Sequence, residues 1–284
     1  MRIRGWFGLA LLVMSFAVFA VGGVSEVRKQ VEASMLVTGT IVVDTGGKLK
    51  TLTLDHEDAL PAGAVRLIRD QAAQWRFEPV MINGKAVVAK TDMSLRVIAK
   101  ALPNDEYAIR IGGASFGTDS PNPNEIIRGE KLTPPDFPRA AASIGATGTA
   151  YVVVKVGRNG RVEDAIVEQV NLNVVARERD MDAIRRLFAN NAKAGAKKWT
   201  FRPPTEGDEA DDEFWTVRVP VKYNLVRVRP KKTYGAWEAY VPGPRQPITW
   251  KSEAESPAFS PDAAPEGSVR LAGSGLRLLT APGG

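Results

Sequence analysis

Few residues in this chain are equipped for chemistry. Among 284 residues there is no cysteine and one histidine, His56. That excludes a disulfide framework, a thiolate zinc site, a cysteine nucleophile and a multi-histidine metal centre. A Ser-His-Asp triad would have to use His56. This residue stands in Asp55-His56-Glu57-Asp58, where flanking carboxylates could hold a metal ion loosely, but the sequence favours an exposed loop histidine. The acidic run Glu206, Asp208, Glu209, Asp211, Asp212, Glu213 lacks the alternating ligand spacing of a calcium loop and reads as a solvated hairpin tip. Glycines 112, 113 and 117 form no strand-glycine-helix phosphate loop, and no segment interleaves aromatic and basic residues as a nucleic-acid platform does. The expectation is a chain with no catalytic residue, metal, cofactor, small-molecule substrate or nucleic-acid partner.

The composition is that of a globular protein, 44% apolar and 25% charged, with a formal charge of +6 that argues for no particular polyanion. Arg2 and Arg4 precede an uncharged stretch from Gly5 to Ser25, and Val18-Phe19-Ala20 supplies small residues at minus three and minus one of a cleavage site. Residues 1–20 therefore read as a signal peptide and the mature chain as periplasmic. The alternative is a retained signal anchor in the inner membrane with the remainder periplasmic. Residues 226–284 hold eight Pro and seven Gly without an apolar period, and are expected to be a flexible tail or a loosely docked extension. Trp237, Tyr240 and Trp250 are unusual there and suggest local packing onto a domain. The basic run Arg227-Val228-Arg229-Pro230-Lys231-Lys232 reads as a solvated linker.

Between these ends the sequence repeats. Trp75-Arg76-Phe77-Glu78-Pro79 recurs as Trp199-Thr200-Phe201-Arg202-Pro203. Upstream, Thr38-Gly39-Thr40 and Thr147-Gly148-Thr149 each lead into an apolar run, a glycine turn (Gly46-Gly47, Asn159-Gly160) and a second apolar run. Two such runs joined by a glycine turn form a hairpin. A helix follows in each copy, with Val65, Ile68, Ala72 and Trp75 on one face, and Met181, Ile184, Phe188, Ala192 and Trp199 on the other copy's face. Final strands are expected at Asp92 to Ile98 and Trp215 to Tyr223. The predicted class is α+β: two small β-β-α-β units, each an antiparallel sheet with a helix on one face. The units span 24–100 and 131–225, joined by a linker at 101–130, and the sheet of the second is preceded by a proline lead-in and short helix at Pro134-Pro135-Asp136-Phe137-Pro138-Arg139-Ala140-Ala141.

The second unit resembles the TonB C-terminal domain. The matching pieces are Phe137-Pro138, the strand from Gly148 to Val156, Gly160-Arg161-Val162, Trp199-x-Phe201-x-Pro203, and Val217-x-Val219-x-Val221-x-Tyr223. The match covers about residues 134–223, and the first unit adds a degenerate copy. The resemblance implies a binding module and not an enzyme: an energy transducer or periplasmic adaptor for outer-membrane transport. Its C-terminal domain would take an extended segment of an outer-membrane receptor, or of another envelope protein, as an added strand, and an inner-membrane motor complex would be a further partner. An exposed sheet edge offers unpaired N–H and C=O groups, so main-chain pairing gives affinity without a fixed sequence. The expected docking edges are Trp215, Val217, Val219, Val221 and Tyr223 with Pro134, Pro135 and Phe137 nearby, and Thr91 to Val97 in the first unit. Two departures weaken motor coupling: no long proline-rich spacer follows the apolar segment, and Phe19 stands where the family's anchor carries histidine. A periplasmic scaffold or binding protein without motor coupling is the alternative.

Overall fold

The computed structural model of the chain describes residues 2–3, 31–82, 84–102, 106–117, 122–225, 234–250 and 258–283. The expected signal peptide lies outside them apart from Arg2 and Ile3, as does the basic run from Arg227 to Lys232. Among the described residues no helix is long and apolar enough to cross a membrane. The molecule is α+β with antiparallel sheets.

The first sheet has the order β1(Arg2–Ile3), β7(Tyr107–Phe116), β6(Ala89–Ala101), β2(Glu32–Val43), β13(Glu238–Tyr240), with β3(Leu49–Leu54) also pairing β2. Alternation in β2 places Met35, Val37, Ile41 and Val43 on one face. There they meet Ala64, Leu67, Ile68 and Ala72 of α1(Ala62–Ala72). Val65, an expected core position, is only half-buried, and Leu67 takes its place. A short ribbon, β4(Val80–Ile82) and β5(Lys85–Val87), projects ahead of β6.

The second sheet has the order β10(Val162–Leu172), β9(Gly148–Gly157), β12(Phe214–Tyr223), β14(Arg270–Leu271). Its helix, α3(Glu178–Ala196), buries Met181, Ile184, Phe188, Ala192 and Ala196 at the predicted helical spacing. Ahead of the proline lead-in, at the end of the expected linker, stands β8(Arg128–Lys131), which pairs β11(Thr200–Arg202), and the lead-in runs into α2(Arg139–Ser143).

The glycine turns superimpose in role. Gly47 and Gly160 have φ of 77° and 73°, which a side chain resists. Their carbonyl oxygens accept from the Phe77 and Phe201 N–H groups, each at 2.8 Å. Gly39 and Gly148 face the Thr53 and Asn171 carbonyls so closely that a Cβ would collide. Equal backbone demands at equal places establish the repeat as structural.

Three expectations need correction. Residues 101–130 are not simply a linker, because they contain β7, a ten-residue strand paired along β6. Glycines 112 and 113 break its apolar alternation, yet side chains there would strike Ile98 and Ser260. Thr91 to Val97 is consequently no edge, since β6 lies between β2 and β7. Finally, the described parts of the tail are docked: β13 and β14 extend the two sheets, and Tyr240, Val241, Ala258, Ala263, Ala264 and Leu278 are buried. Scattered anchors and borrowed strand edges hold it, and these need no local period.

The tail also joins the units through their helix-free faces. Ser94 Oγ donates to the Ala263 carbonyl at 2.5 Å and Arg96 Nε to the Asp262 carbonyl at 2.8 Å. Asn171 and Tyr240 donate to the Asp262 carboxylate at 3.3 and 2.6 Å. β13 runs antiparallel to β2, and Val241 next to it pairs antiparallel with Leu172 of β10. So β2 and β10 run the same way, and the equivalent strands β2 and β9 run oppositely.

Candidate functional site

The closing strand β12 alternates cleanly. Trp215, Val217, Val219, Val221 and Tyr223 are 2, 0, 5, 7 and 2% exposed and all face the α3 side. These five side chains are therefore core, and only the backbone of the strand can serve a partner. On its inner side β12 pairs with β9 from Phe214 to Tyr223 without a break. On its outer side β14 pairs with Val217 and Arg218 only, extended by the Ala272 N–H donating to the Thr216 carbonyl at 2.7 Å. Because Thr216 addresses the outer side, so do Arg218, Pro220 and Lys222. Pro220 has no N–H to offer there, which blunts the edge as proline does on exposed strands.

The side chains of those outward residues turn to the helix-free face. Arg218 is 2% exposed and bonds Glu168, 1% exposed, at 2.7 Å, while Arg245 reaches the other Glu168 oxygen at 2.7 Å. The Arg218 guanidinium also lies 4.2 Å over the Phe259 ring. Lys222 pairs with Glu266. On the face that β12 turns away from its helix, Glu168 of β10 thus neutralises Arg218, while the tail supplies Glu266 for Lys222 and covers Arg218 with Phe259.

The proline lead-in is brought to the far end of β12. Phe137 meets Phe188 and Tyr223 edge-on at 6.1 and 5.9 Å, and those two rings stack at 4.2 Å. Burial raises the Tyr223 phenol well above its ordinary range, and its hydroxyl donates to Asn191 at 2.7 Å. Pro135 packs on Gly195, and Pro134 is exposed.

Each Trp-x-Phe segment has an added strand alongside. In the second unit it is β8, and Trp199 Nε1 donates to the Thr133 carbonyl at 2.9 Å. In the first unit residues 277–282 do the same work. Leu278 pairs Phe77, the Glu78 N–H donates to the Arg277 carbonyl at 2.9 Å, and Trp75 Nε1 donates to the Pro282 carbonyl at 3.3 Å. Phe116 of β7 completes that core, 5.7 Å from Trp75 and 5.0 Å from Phe77. Pro79 is exposed and Pro203 half-buried.

Between the two sheets lies a cavity of about 420 Å³ whose lining includes Arg96, Glu238, Tyr151, Asn171, Tyr240 and the Lys222–Glu266 pair. Burial pushes the Tyr151 phenol far up, and burial together with the nearby Asp262 carboxylate does the same to Tyr240, so both stay neutral. His56 adopts a left-handed backbone, φ 43°, and packs edge-on against Tyr234 at 5.5 Å. In the acidic run, Glu206 accepts from Asn122 and Asn124 at 2.7 and 3.0 Å, which lowers its pKa, whereas burial and then Asp212 and Asp208 raise that of Glu209. Among the described residues no group of three or more His, Asp or Glu side chains is placed to hold a metal ion.

Sequence reasoning missed β7, β14 and Asp262. For β7 a signal existed in Tyr107-x-Ile109-x-Ile111, a short alternation; for two-residue β14 and a single tail carboxylate there was none. Compared with known proteins, the chain matches no family model, no curated protein and no solved structure.

Proposed function

We propose that the chain is a TonB-like cell-envelope binding protein whose second unit takes an extended segment of a partner as a strand along the outer side of β12. The observation that carries this reading is internal. In the first unit the equivalent side of β6 holds ten-residue β7, whereas β12 holds a two-residue stub. An incoming strand would replace β14 and lengthen the ladder, and its affinity would come from main-chain bonds because the β12 side chains are committed to the core. The partner is an outer-membrane receptor segment or another envelope protein, and the chain acts by binding and not by catalysis.

An adaptor or scaffold role without motor coupling is favoured over transduction by one distance. The expected signal or anchor segment ends at Ala20 and β2 starts at Glu32, so only residues 21–31 lie between. At about 3.5 Å per extended residue these reach less than about 40 Å.

Fluorescence anisotropy with labelled periplasmic segments of outer-membrane receptors tests the reading. Arg270→Pro removes the β14 N–H that faces β12, so saturable binding that tightens in this variant is expected. A folded Arg270→Pro protein that binds none of them, beside a TonB domain that does, overturns it.

A further inference from the structure

The ribbon β4–β5 contributes no side chain to either core. Its cross-strand pairs are Val80 with Val87, Met81 with Ala86, and Ile82 with Lys85. Successive residues of a strand point to opposite faces, yet Met81 and Ile82 are 57 and 56% exposed and Val88, just beyond, is 54% exposed. Both faces are therefore exposed towards the tip of the ribbon, while Val80 and Val87 at its base are half-buried. Of the six large apolar side chains exposed among the described residues, Met81, Ile82 and Val88 are three. Isolated exposed apolar residues are ordinary, but a cluster on a projecting element marks an interaction surface.

The fold does not require this character. Pro204 to Glu213 occupies the same place in the second unit, between Trp-x-Phe-x-Pro and the closing strand, and there the residues are Glu206, Asp208, Glu209, Asp211, Asp212 and Glu213 with no basic residue. From Val80 to Lys90 there is no acidic residue, and Lys85 and Lys90 are exposed. Glu78, the nearest acid upstream, is paired with Arg277 at 3.6 Å. The β2–β3 turn at the same end of the sheet, where Val43 pairs Ala89, adds Lys48 and Lys50 against Asp44. Because β2 and β9 run oppositely, the acidic loop lies at the other end of the molecule.

We propose that the β4–β5 ribbon is a membrane-surface anchor that seats Met81, Ile82 and Val88 in the interface of an anionic lipid bilayer, with Lys85 and Lys90 at the headgroups. A bilayer surface offers negative charge and apolar depth together. The acidic loop of a second copy offers charge with a single apolar residue, Ala210. The six carboxylates of that loop outnumber Arg158 of the β9–β10 turn, which bonds the Asp212 carbonyl, so this end is not drawn to the same surface and docking also orients the two units.

The absence of native cysteine allows a single environment-sensitive dye at Ala86→Cys or, as a control, at Ala210→Cys in the full chain. A ribbon dye reads the ribbon alone, whatever the N-terminal segment does. With phosphatidylglycerol-containing vesicles, the dye at position 86 should brighten and shift to the blue, and the dye at 210 should not. Met81→Asp with Ile82→Asp should weaken the response at least about tenfold, the scale of one buried apolar side chain. Lys85→Glu should weaken it about fivefold or more. Both variants should keep the parent melting temperature, since no core contact is lost. The proposal fails if position 86 is silent, if 210 responds equally, if neutral phosphatidylcholine vesicles give the same signal, or if the Asp variant responds like the parent. A signal at 86 that appears on raising protein concentration without lipid overturns it in favour of a second copy of the chain.

Discussion

The two closing strands, β6 and β12, start from the same repeat and end in different surroundings. β6 is interior, with β2 on one side and the full length of β7 on the other; β12 has β9 on one side and two residues of the tail on the other. Pro220 of β12 corresponds to Arg96 of β6, and the β6–β7 ladder itself shifts register between Arg96 and Val97. Where the first unit accommodates a neighbour by a bulge, the second withholds a donor. Edge availability in this fold is thus decided by the segment after the closing strand and by one residue in it, not by the unit's core.

That contrast can be broken by removing the residues that fill each edge. The largest effect belongs to Phe116→Ala in β7, which empties the space between Trp75 and Phe77. It should cost about 3–5 kcal/mol in chemical denaturation, whereas Leu271→Ala in β14 should cost less than about 1 kcal/mol. If the two losses are equal, β14 is as integral as β7 and the edge of β12 is closed. Next, Leu278→Ala, at a fully buried site, should cost about 2–5 kcal/mol. Amide exchange should then accelerate around Trp75 to Phe77 and not around Trp199 to Phe201, because β8 still covers the second copy.

A smaller effect concerns the seam between the units. The raised Tyr151 and Tyr240 phenols keep their protons when folded, so their contribution to stability is complete below the unfolded value of about pH 10 and is lost as pH rises above it. Tyr240→Phe should cost about 1.5–3 kcal/mol at neutral pH through the lost bond to Asp262, and alkaline melts of this variant should fall less steeply. The smallest change is Pro220→Val, worth less than about 1 kcal/mol in stability. Its restored outward N–H should tighten binding of an extended peptide or, failing one, promote self-association in sedimentation.

Much of the fold was legible from local signals. Trp75-x-Phe77-x-Pro79 and its second copy, the Asn159-Gly160 turn and the face Met181-Ile184-Phe188-Ala192 each encode structure within a few residues, and the helix and hairpins stand where those signals put them. β7 was hidden because Gly112 and Gly113 serve close approach and not the alternation that marks a strand. The tail was hidden because Phe77 and Leu278, or Leu172 and Val241, meet across long stretches of chain, and such pairings leave no period. For the docking edge, the sequence located β12 but favoured its odd residues. The alternation that buries Trp215 and Val217 leaves the outward backbone to Thr216, Arg218, Pro220 and Lys222.

The pairing of Phe77 with Leu278 bears on the order in which the protein is made. A chain emerging from its N-terminus has the first unit's strands and helix in hand long before residues 276–282 exist, while the second unit already has β8 upstream. The first unit must therefore wait and finish last, with Trp75 and Phe77 unsealed until those residues arrive. A closed first unit then certifies that synthesis has passed the second. Chains halted before residue 276 should betray themselves to a protease in the first unit while the second resists.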